Sequence, residues 1–269
     1  MAKQRLDTLL ADRGLFPSRS RAAAAVMAGE VYLEPAHPGR RRAHKPGEMV
    51  PAEVSVSVAE RPRFVSRGGI KLSNALDSSG LGVHGRIALD VGSSTGGFTD
   101  CLLQHGALSV IAVDVGYGEL DYRLRTDPRV SVLERTNARS LSPEMLPGSP
   151  DLAVVDLSFI SLAKVLPAVL GCMAAQYDVL ALIKPQFEVG RERVGKGGVV
   201  RNPDDRRSAL VGVGMAALEL GASVLDFHSS GLPGAKGNLE TFVWLAEPGR
   251  TGAAQTPAEI ERMARGLEP

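Results

Sequence analysis

The segment Ile87-Ala88-Leu89-Asp90-Val91-Gly92-Ser93-Ser94-Thr95-Gly96-Gly97-Phe98 carries the densest chemical signal in the chain. It reads as an apolar strand, a glycine-rich turn and the start of a helix, the place where an open α/β sheet binds its ligand. Glycines at 92, 96 and 97 let the backbone approach a ligand with no Cβ in the way. A dinucleotide fingerprint, G-x-G-x-x-G, would put a glycine where Ser94 stands, and a phosphate-cradling loop would end in Lys-Ser or Lys-Thr. Both signals are missing, so NAD binding and ATP hydrolysis are disfavoured. A ligand with a nucleoside but no phosphate fits. Asp114, 22 residues after Gly92 at the end of the next apolar run, is placed to accept hydrogen bonds from ribose hydroxyls. The alternative is a helix cap followed by a surface aspartate.

Four more charges fall at or beside expected strand ends. Lys71 follows Ser66-Arg67-Gly68-Gly69 on a helix leading into the sheet, and Asp156 interrupts the apolar run Leu152–Leu157. Lys184 closes Val179–Ile183, and Glu240 opens the last strand after the loop Gly231–Asn238. Charges on nearly buried strands are costly unless paired or functional. Two ammonium groups and two carboxylates converging at one sheet edge form either structural ion pairs or a proton-handling site.

The elements that must position these residues alternate. Strands are expected at Ile87–Val91, Val110–Val115, Leu152–Leu157, Val179–Ile183, Ser223–Ser229 and Phe242–Ala246. Helices are expected at Ile70–Ser78, Phe98–Gln104, Leu162–Ala174, Arg206–Leu220 and Ala258–Arg265. Such alternation predicts a mostly parallel sheet covered on both faces. Between Glu188 and Asp205 lies a long glycine-rich stretch, a candidate lid with Arg191, Arg193 and Lys196 for phosphates.

Residues 1–60 read as a separate unit. A helix is expected over Arg5–Leu15, a second from the Ser18 cap to Ala28, and strands at Val31–Leu33 and Val54–Val58. Residues 61–64, Arg-Pro-Arg-Phe, read as a stiff connector, and 65–269 as the second domain. Charge divides the same way. Residues 1–63 hold eleven Lys/Arg against seven Asp/Glu, a net of +4, whereas 64–269 hold 20 against 23, a net of −3. A polyanion partner for the front unit explains that asymmetry, as does a solvated basic face.

Several functions are excluded or disfavoured. Cys101 and Cys172 are too few and too far apart for a disulfide framework or a zinc set, and they fit a reducing cytosol. His37, His44, His84, His105 and His228 show no metal-binding spacing, so no metal is expected. The longest apolar stretch, Leu152–Ala175, is broken by Asp156, Lys164 and Pro167, and the N-terminus has no signal-peptide core. A soluble, cytoplasmic, monomeric protein is expected.

The glycine turn, the absent phosphate signals and the distal Asp114 together resemble a class I methyltransferase, which binds S-adenosylmethionine. The order Lys71, Asp156, Lys184, Glu240 is similar to the catalytic tetrad of FtsJ-like ribose 2′-O-methyltransferases. The words Ser-Arg-Gly-Gly-Ile-Lys-Leu, Val-Asp-Val-Gly-Tyr-Gly, Asp-Leu-Ser-Phe-Ile-Ser and Ile-Lys-Pro-Gln-Phe-Glu look like the TlyA family of bacterial ribosomal RNA methyltransferases. The likeness runs from Arg5 to Ala246. It implies a Rossmann-like α/β sheet with a small N-terminal α+β RNA-binding domain. It also implies methylation of cytidine ribose in ribosomal RNA, of the large subunit and, for longer members, the small one.

For this chain the resemblance implies cofactor contacts from Asp90, Gly92, Ser93, Ser94, Gly96, Gly97, Phe98, Asp114 and Asn137. Lys184 is the implied base, with Lys71 supplying a neighbouring positive charge; Asp156 and Glu240 orient the amines or the ribose. A lysine serves as base only where burial or a second ammonium favours its neutral form. The front unit resembles an RNA-binding fold shared with a small-subunit ribosomal protein, so Arg5, Arg19 and Arg21 are implied phosphate contacts, joined by Arg67. After Val31 the chain departs from that pattern, with Tyr32-Leu33-Glu34-Pro35-Ala36 and an arginine cluster in place of the usual turn. Family members also carry a haemolysin label. The rival readings are therefore a membrane-lytic protein, an RNA-binding protein with an inactive methyltransferase fold, and a methyltransferase acting on another acceptor.

Overall fold

The short Leu-rich segment at the front makes only two turns of helix. In the computed structural model, which describes residues 3–34, 39–59, 62–254 and 256–267, β1 (Lys3–Arg5) leads into α1 (Leu6–Asp12). Arg5 therefore lies on a strand, before the helix that was expected to carry it. Ser18 caps α2 (Arg19–Met27) by accepting the Arg21 N–H at 3.3 Å. β2 (Val31–Glu34), β3 (Arg41–Arg42), β4 (Met49–Pro51) and β5 (Ser55–Val58) complete the unit. The strands form an antiparallel β3-β2-β5 sheet and a β1-β4 pair around Leu6, Leu9, Leu10, Val26, Val31 and Leu33. Within the arginine cluster, Arg42 donates to the carbonyls of Ala28 and Gly29 at 2.9 Å, closing the end of α2. Arg40 lies over the Tyr32 ring at 4.0 Å. Residues 35–38 of the predicted turn and Arg61 of the predicted connector lie outside the described residues.

The chain divides into two compact units, Met1–Pro62 and Arg63–Pro269. In the second, α3 (Arg67–Ser79) precedes β6 (Ile87–Val91), α4 (Gly97–Gln104), β7 (Ser109–Val113), α5 (Tyr122–Arg125) and β8 (Val130–Leu133). β9 (Leu152–Val155), α6 (Leu166–Gly171), β10 (Asp178–Ile183) and α7 (Pro185–Glu188) follow. The unit ends with α8 (Pro203–Glu219), β11 (Ser223–Ser229), β12 (Thr241–Ala246) and α9 (Pro257–Arg265). One seven-stranded sheet has the order β11-β12-β10-β9-β6-β7-β8. β6 to β10 run parallel, and β12 runs antiparallel to both its neighbours. The order reverses between β6 and β9, which opens a crevice outside their C-terminal ends. Apolar clusters cover both faces, one around Leu89, Val155, Ile183 and Val243, the other around Leu72, Leu102, Val154 and Phe242.

Three readings are corrected. The helix read over Leu162–Ala174 is a 3-10 turn, Leu162–Lys164, followed by the shorter α6. Pro167 sits in the first turn of α6, where its missing N–H costs nothing, so the helix restarts there. The edge strand β8 was not read from the sequence. α8 starts three residues earlier than expected because Pro203 occupies its first turn and the Asn202 side chain accepts the Asp204 N–H at 2.9 Å.

Candidate active site

The turn after β6 is built by exclusion of side chains. At Gly92, φ is +89° and a Cβ would lie 2.3 Å from the Asp156 backbone oxygen. Only glycine fits between these two strand ends. Gly97 has a different task. A Cβ there would meet the Ser66 hydroxyl at 2.1 Å and the Gly69 nitrogen at 2.9 Å, so its bareness seats α4 against the start of α3. At Gly96 the crowding atoms belong to Leu124 and Leu120. The sequence assigned both glycines to ligand approach; internal packing already requires them.

Asp90, at the end of β6, is fully buried. The Thr99 hydroxyl donates to one of its oxygens at 2.6 Å, while Oδ1 has no hydrogen-bond partner. Burial pushes this carboxyl up to about 7, helped by the charges of Asp156 and Asp114 and opposed by Thr99. Ser93 is buried beside it in the turn.

Beyond the end of β7, Asp114 accepts the Ser94 N–H at 2.8 Å and the Gly116 N–H at 2.7 Å. Those bonds hold Ser94 in left-handed backbone, φ +46°. A cavity of about 480 Å³ opens here, lined by Gly92, Ser94, Asp114, Glu119, Asn137 and Asp156 among others. Asn137 uses its side-chain oxygen to accept the Arg139 N–H at 3.0 Å. Glu119, to which the Ser94 hydroxyl donates at 3.4 Å, escaped the sequence reading, since it sits in an irregular loop with no periodic signal.

The fold brings the four predicted charges together. Ile183 of β10 pairs with Thr241 of β12, so Lys184 and Glu240 flank the same rung. Lys71 Nζ lies 2.5 Å from Glu240 Oε2, both buried, and Lys184 Nζ lies 2.5 Å from Asp156 Oδ1. Lys184 also donates to the Ser158 hydroxyl at 3.1 Å. All four residues, with Arg67, Ser93, Gly97 and Phe98, line a cavity of about 500 Å³. It shares Gly92, Ser94, Asp156, Ser158 and Phe159 with the Asp114 cavity. A nucleoside held at Asp114 and an acceptor held among the lysines would therefore meet across Asp156.

Phe159 stands at this junction, 91% exposed and with φ +67°. Its ring is 5.3 Å from that of Phe187. Both rings border a third cavity of about 790 Å³ that also touches Arg139, Lys164 and Arg191. Of the predicted lid cations, Arg191 lines that cavity, Arg193 is engaged by Ser208 at 3.4 Å and Asp205 at 3.7 Å, and Lys196 is exposed. Lys164 and Arg139 were not predicted; they lie in different loops and only the fold gathers them. In the front unit, Arg5 and Arg19 both hold Asp7, at 2.8 and 3.1 Å. Those guanidiniums keep the buried Asp7 carboxyl well below the usual carboxylate range. Arg21 is exposed and makes no such bond.

A sheet of this order, with one reversed strand and a crevice suited to a phosphate-free nucleoside, defines a class I methyltransferase fold. The FtsJ-like methyltransferase family model matches residues 64–247, and the chain belongs to this family, among its TlyA-type members. It is 46% identical over 269 residues, covering 99% of this chain and 95% of the relative, to the 16S/23S rRNA (cytidine-2′-O)-methyltransferase TlyA of Mycobacterium tuberculosis. Hemolysin A of Brachyspira hyodysenteriae is 38% identical over 237 residues, 88% of this chain and 97% of that protein. A solved haemolysin-labelled structure from Streptococcus thermophilus matches with a TM-score of 0.72 and 39% identity, over 99% of this chain and 96% of that one. Another, from Lactococcus lactis, is matched over its whole length by 77% of this chain, with a TM-score of 0.70 and 40% identity.

Proposed function

We propose that this protein transfers a methyl group from S-adenosylmethionine to the ribose 2′-hydroxyl of a cytidine in ribosomal RNA, of the large subunit and also the small one. The observation that carries the reading is the pair of ion pairs, Lys71–Glu240 and Lys184–Asp156, lining one cavity that opens onto the Asp114 crevice.

The residues present fit the cofactor. Asp114 and Glu119 supply carboxylates for ribose hydroxyls, and the bare Gly92 allows close approach. When bound, S-adenosylmethionine supplies an electrophilic methyl on a cationic sulfur. Lys184, after giving its own ammonium proton to solvent, takes the proton of the attacking hydroxyl, and Asp156 holds its amine in place. Lys71, fixed by Glu240, adds positive charge that favours the developing alkoxide. Holding the acceptor in line supplies much of the acceleration. Phe159 offers an exposed ring face for a nucleobase, while Arg139, Lys164 and Arg191 follow the phosphates beyond it. The front unit grips the RNA through Arg5, Arg19 and Arg21, and the protein works as a cytoplasmic monomer on ribosomal subunits.

The test is to map 2′-O-methylation in ribosomal RNA after incubation with the wild-type protein or Lys184→Ala. Methylated cytidine with the first and none with the second is expected; no methylated ribose with the wild type overturns the reading. The name of one relative favours a second function, membrane lysis. No helix among the described residues is long and apolar enough to cross a membrane. Leakage from anionic liposomes in the absence of cofactor would support lysis instead.

A further inference from the structure

Two glycine-rich segments close over the catalytic cavity, Gly190–Val200 after α7 and Gly231–Asn238 before β12. Each contributes to its lining, the first through Val194 and Gly198, the second through Gly234 and Lys236. Each is also organised within itself: the Gly195 N–H donates to the Val199 carbonyl at 3.0 Å, and the Gly234 N–H to the Asn238 carbonyl at 2.8 Å. Neither segment has regular structure apart from the single 3-10 turn Arg191–Arg193. Chains of this kind open readily unless something ties them.

Among the described residues, both hydrogen bonds between the two segments run through one side chain. Asn238 is 1% exposed. Its Oδ1 accepts the Val200 N–H at 2.9 Å, and its Nδ2 donates to the Gly198 carbonyl at 2.8 Å. The side-chain amide thus mimics a peptide group, offering one donor and one acceptor to a facing backbone. No other residue type of that size satisfies both partners. Glu240 lies two residues further on, and its carboxylate crowds Gly234 closely enough that a Cβ there would lie 2.2 Å from Oε1. The tie and the carboxylate that holds Lys71 therefore belong to one short, tightly packed turn.

We infer that Asn238 is a positioning residue for methyl transfer: it latches the Gly190–Val200 segment over the acceptor cavity and couples that closure to the placement of Glu240. The inference rests on the methyltransferase reading above. It predicts that breaking the latch releases the segment and impairs RNA turnover while leaving the cofactor crevice around Asp114 intact.

The tests use the full chain. In the wild type, hydrogen exchange at the Val200 amide should be slower than at Lys196 and Gly197 by about tenfold or more, the worth of one buried hydrogen bond. Equal exchange along the segment overturns the latch without any variant. In Asn238→Asp, the carboxylate still accepts from Val200 but faces the Gly198 carbonyl with no donor. Trypsin cleavage at Arg191, Arg193, Lys196 or Arg201 should accelerate about tenfold, and kcat/KM for ribosomal RNA should fall by at least as much. Affinity for S-adenosylmethionine should stay within about twofold. A buried acid facing a carbonyl takes up a proton more readily, and its protonated form restores the donor. The activity of Asn238→Asp relative to wild type should therefore rise as the pH is lowered from about 8 to about 6. Unchanged cleavage, or faster cleavage with unchanged kcat/KM, overturns the proposal. A wild type that neither binds the cofactor nor methylates RNA instead refutes the parent reading.

Discussion

Lys71 Nζ sits 2.5 Å from Glu240 Oε2, both buried, although 169 positions separate the two residues. Removing one partner leaves the other charge buried and uncompensated. Lys71→Met and Glu240→Leu should each destabilise the fold by about 3 kcal/mol in urea unfolding. The double variant should regain most of that loss, yet none of the three should methylate RNA. A double variant as active as the wild type would reduce the pair to a structural strut.

Lys184 is expected to act by accepting a proton as well as by its charge. Lys184→Arg keeps the charge but cannot serve as base near neutrality, so methylation should nearly vanish while cofactor binding survives. Single-turnover assays at saturating cofactor decide this. An arginine variant with most of its activity would assign the lysine a purely electrostatic role.

Asp114 should be read through cofactor affinity. Asp114→Ala removes a charged acceptor and should weaken binding by about 2 kcal/mol in calorimetry. Asp114→Asn keeps one acceptor for the Ser94 or Gly116 N–H and should bind between the two. Unchanged affinity in both variants would place the ribose elsewhere.

Asp90 links stability to pH. Its carboxyl is raised from the ordinary 3.8 to about 7 by burial, so the folded state holds the proton more tightly than the unfolded chain. The stability it contributes is complete below about pH 4 and is lost as the pH rises through about 7. Asp90→Asn should flatten the stability profile across that window. Glu188, whose carboxyl is also raised by burial, leaves a slope of the same sign, and His228, whose imidazole burial lowers, one of the opposite sign. Parallel profiles for the variant and the wild type would show that Asp90 is ionised throughout.

The front unit has its own apolar core, and its arginines are not equivalent. A chain beginning at Phe64 should bind cofactor normally and lose most RNA methylation at low RNA concentration, since tethering raises the local concentration of substrate. Within the intact protein, Arg21→Ala should lower the salt dependence of RNA binding by a slope of about one. Arg19→Ala should also disturb the fold, because Arg19 holds Asp7. Equal methylation by the truncated and intact proteins would return these arginines to ordinary surface charge.

What the sequence disclosed follows from how local the signals are. The strand, glycine turn and helix at Ile87–Phe98 are contiguous, so the crevice was legible, as were four charges whose cost in apolar surroundings made them conspicuous. Their pairing was not legible. Only the folded chain shows that Lys71, from α3, meets Glu240 and that Lys184 meets Asp156. β8 escaped because Val130–Leu133 is short, half-exposed and without clean alternation. Asn238 looked like one more loop residue, since a side chain that copies the backbone leaves no pattern in a single chain. The reason given for Gly96 and Gly97 was also incomplete: the atoms that exclude a Cβ there belong to the protein itself.

The position of β12 bears on how the enzyme is assembled. β12 is made last of the seven strands, yet it lies between β10 and β11 and is the neighbour through which β11 joins the sheet. Until it arrives, β10 and β11 present unpaired edges, the surface most exposed to misassociation. The same insertion carries Glu240 into place and completes the Lys71 pair. A chain caught before this step would hold the glycine turn after β6 but not the Lys71–Glu240 pair. On the proposed function, which requires the Lys71–Glu240 pair, no methyl transfer can precede the insertion of β12.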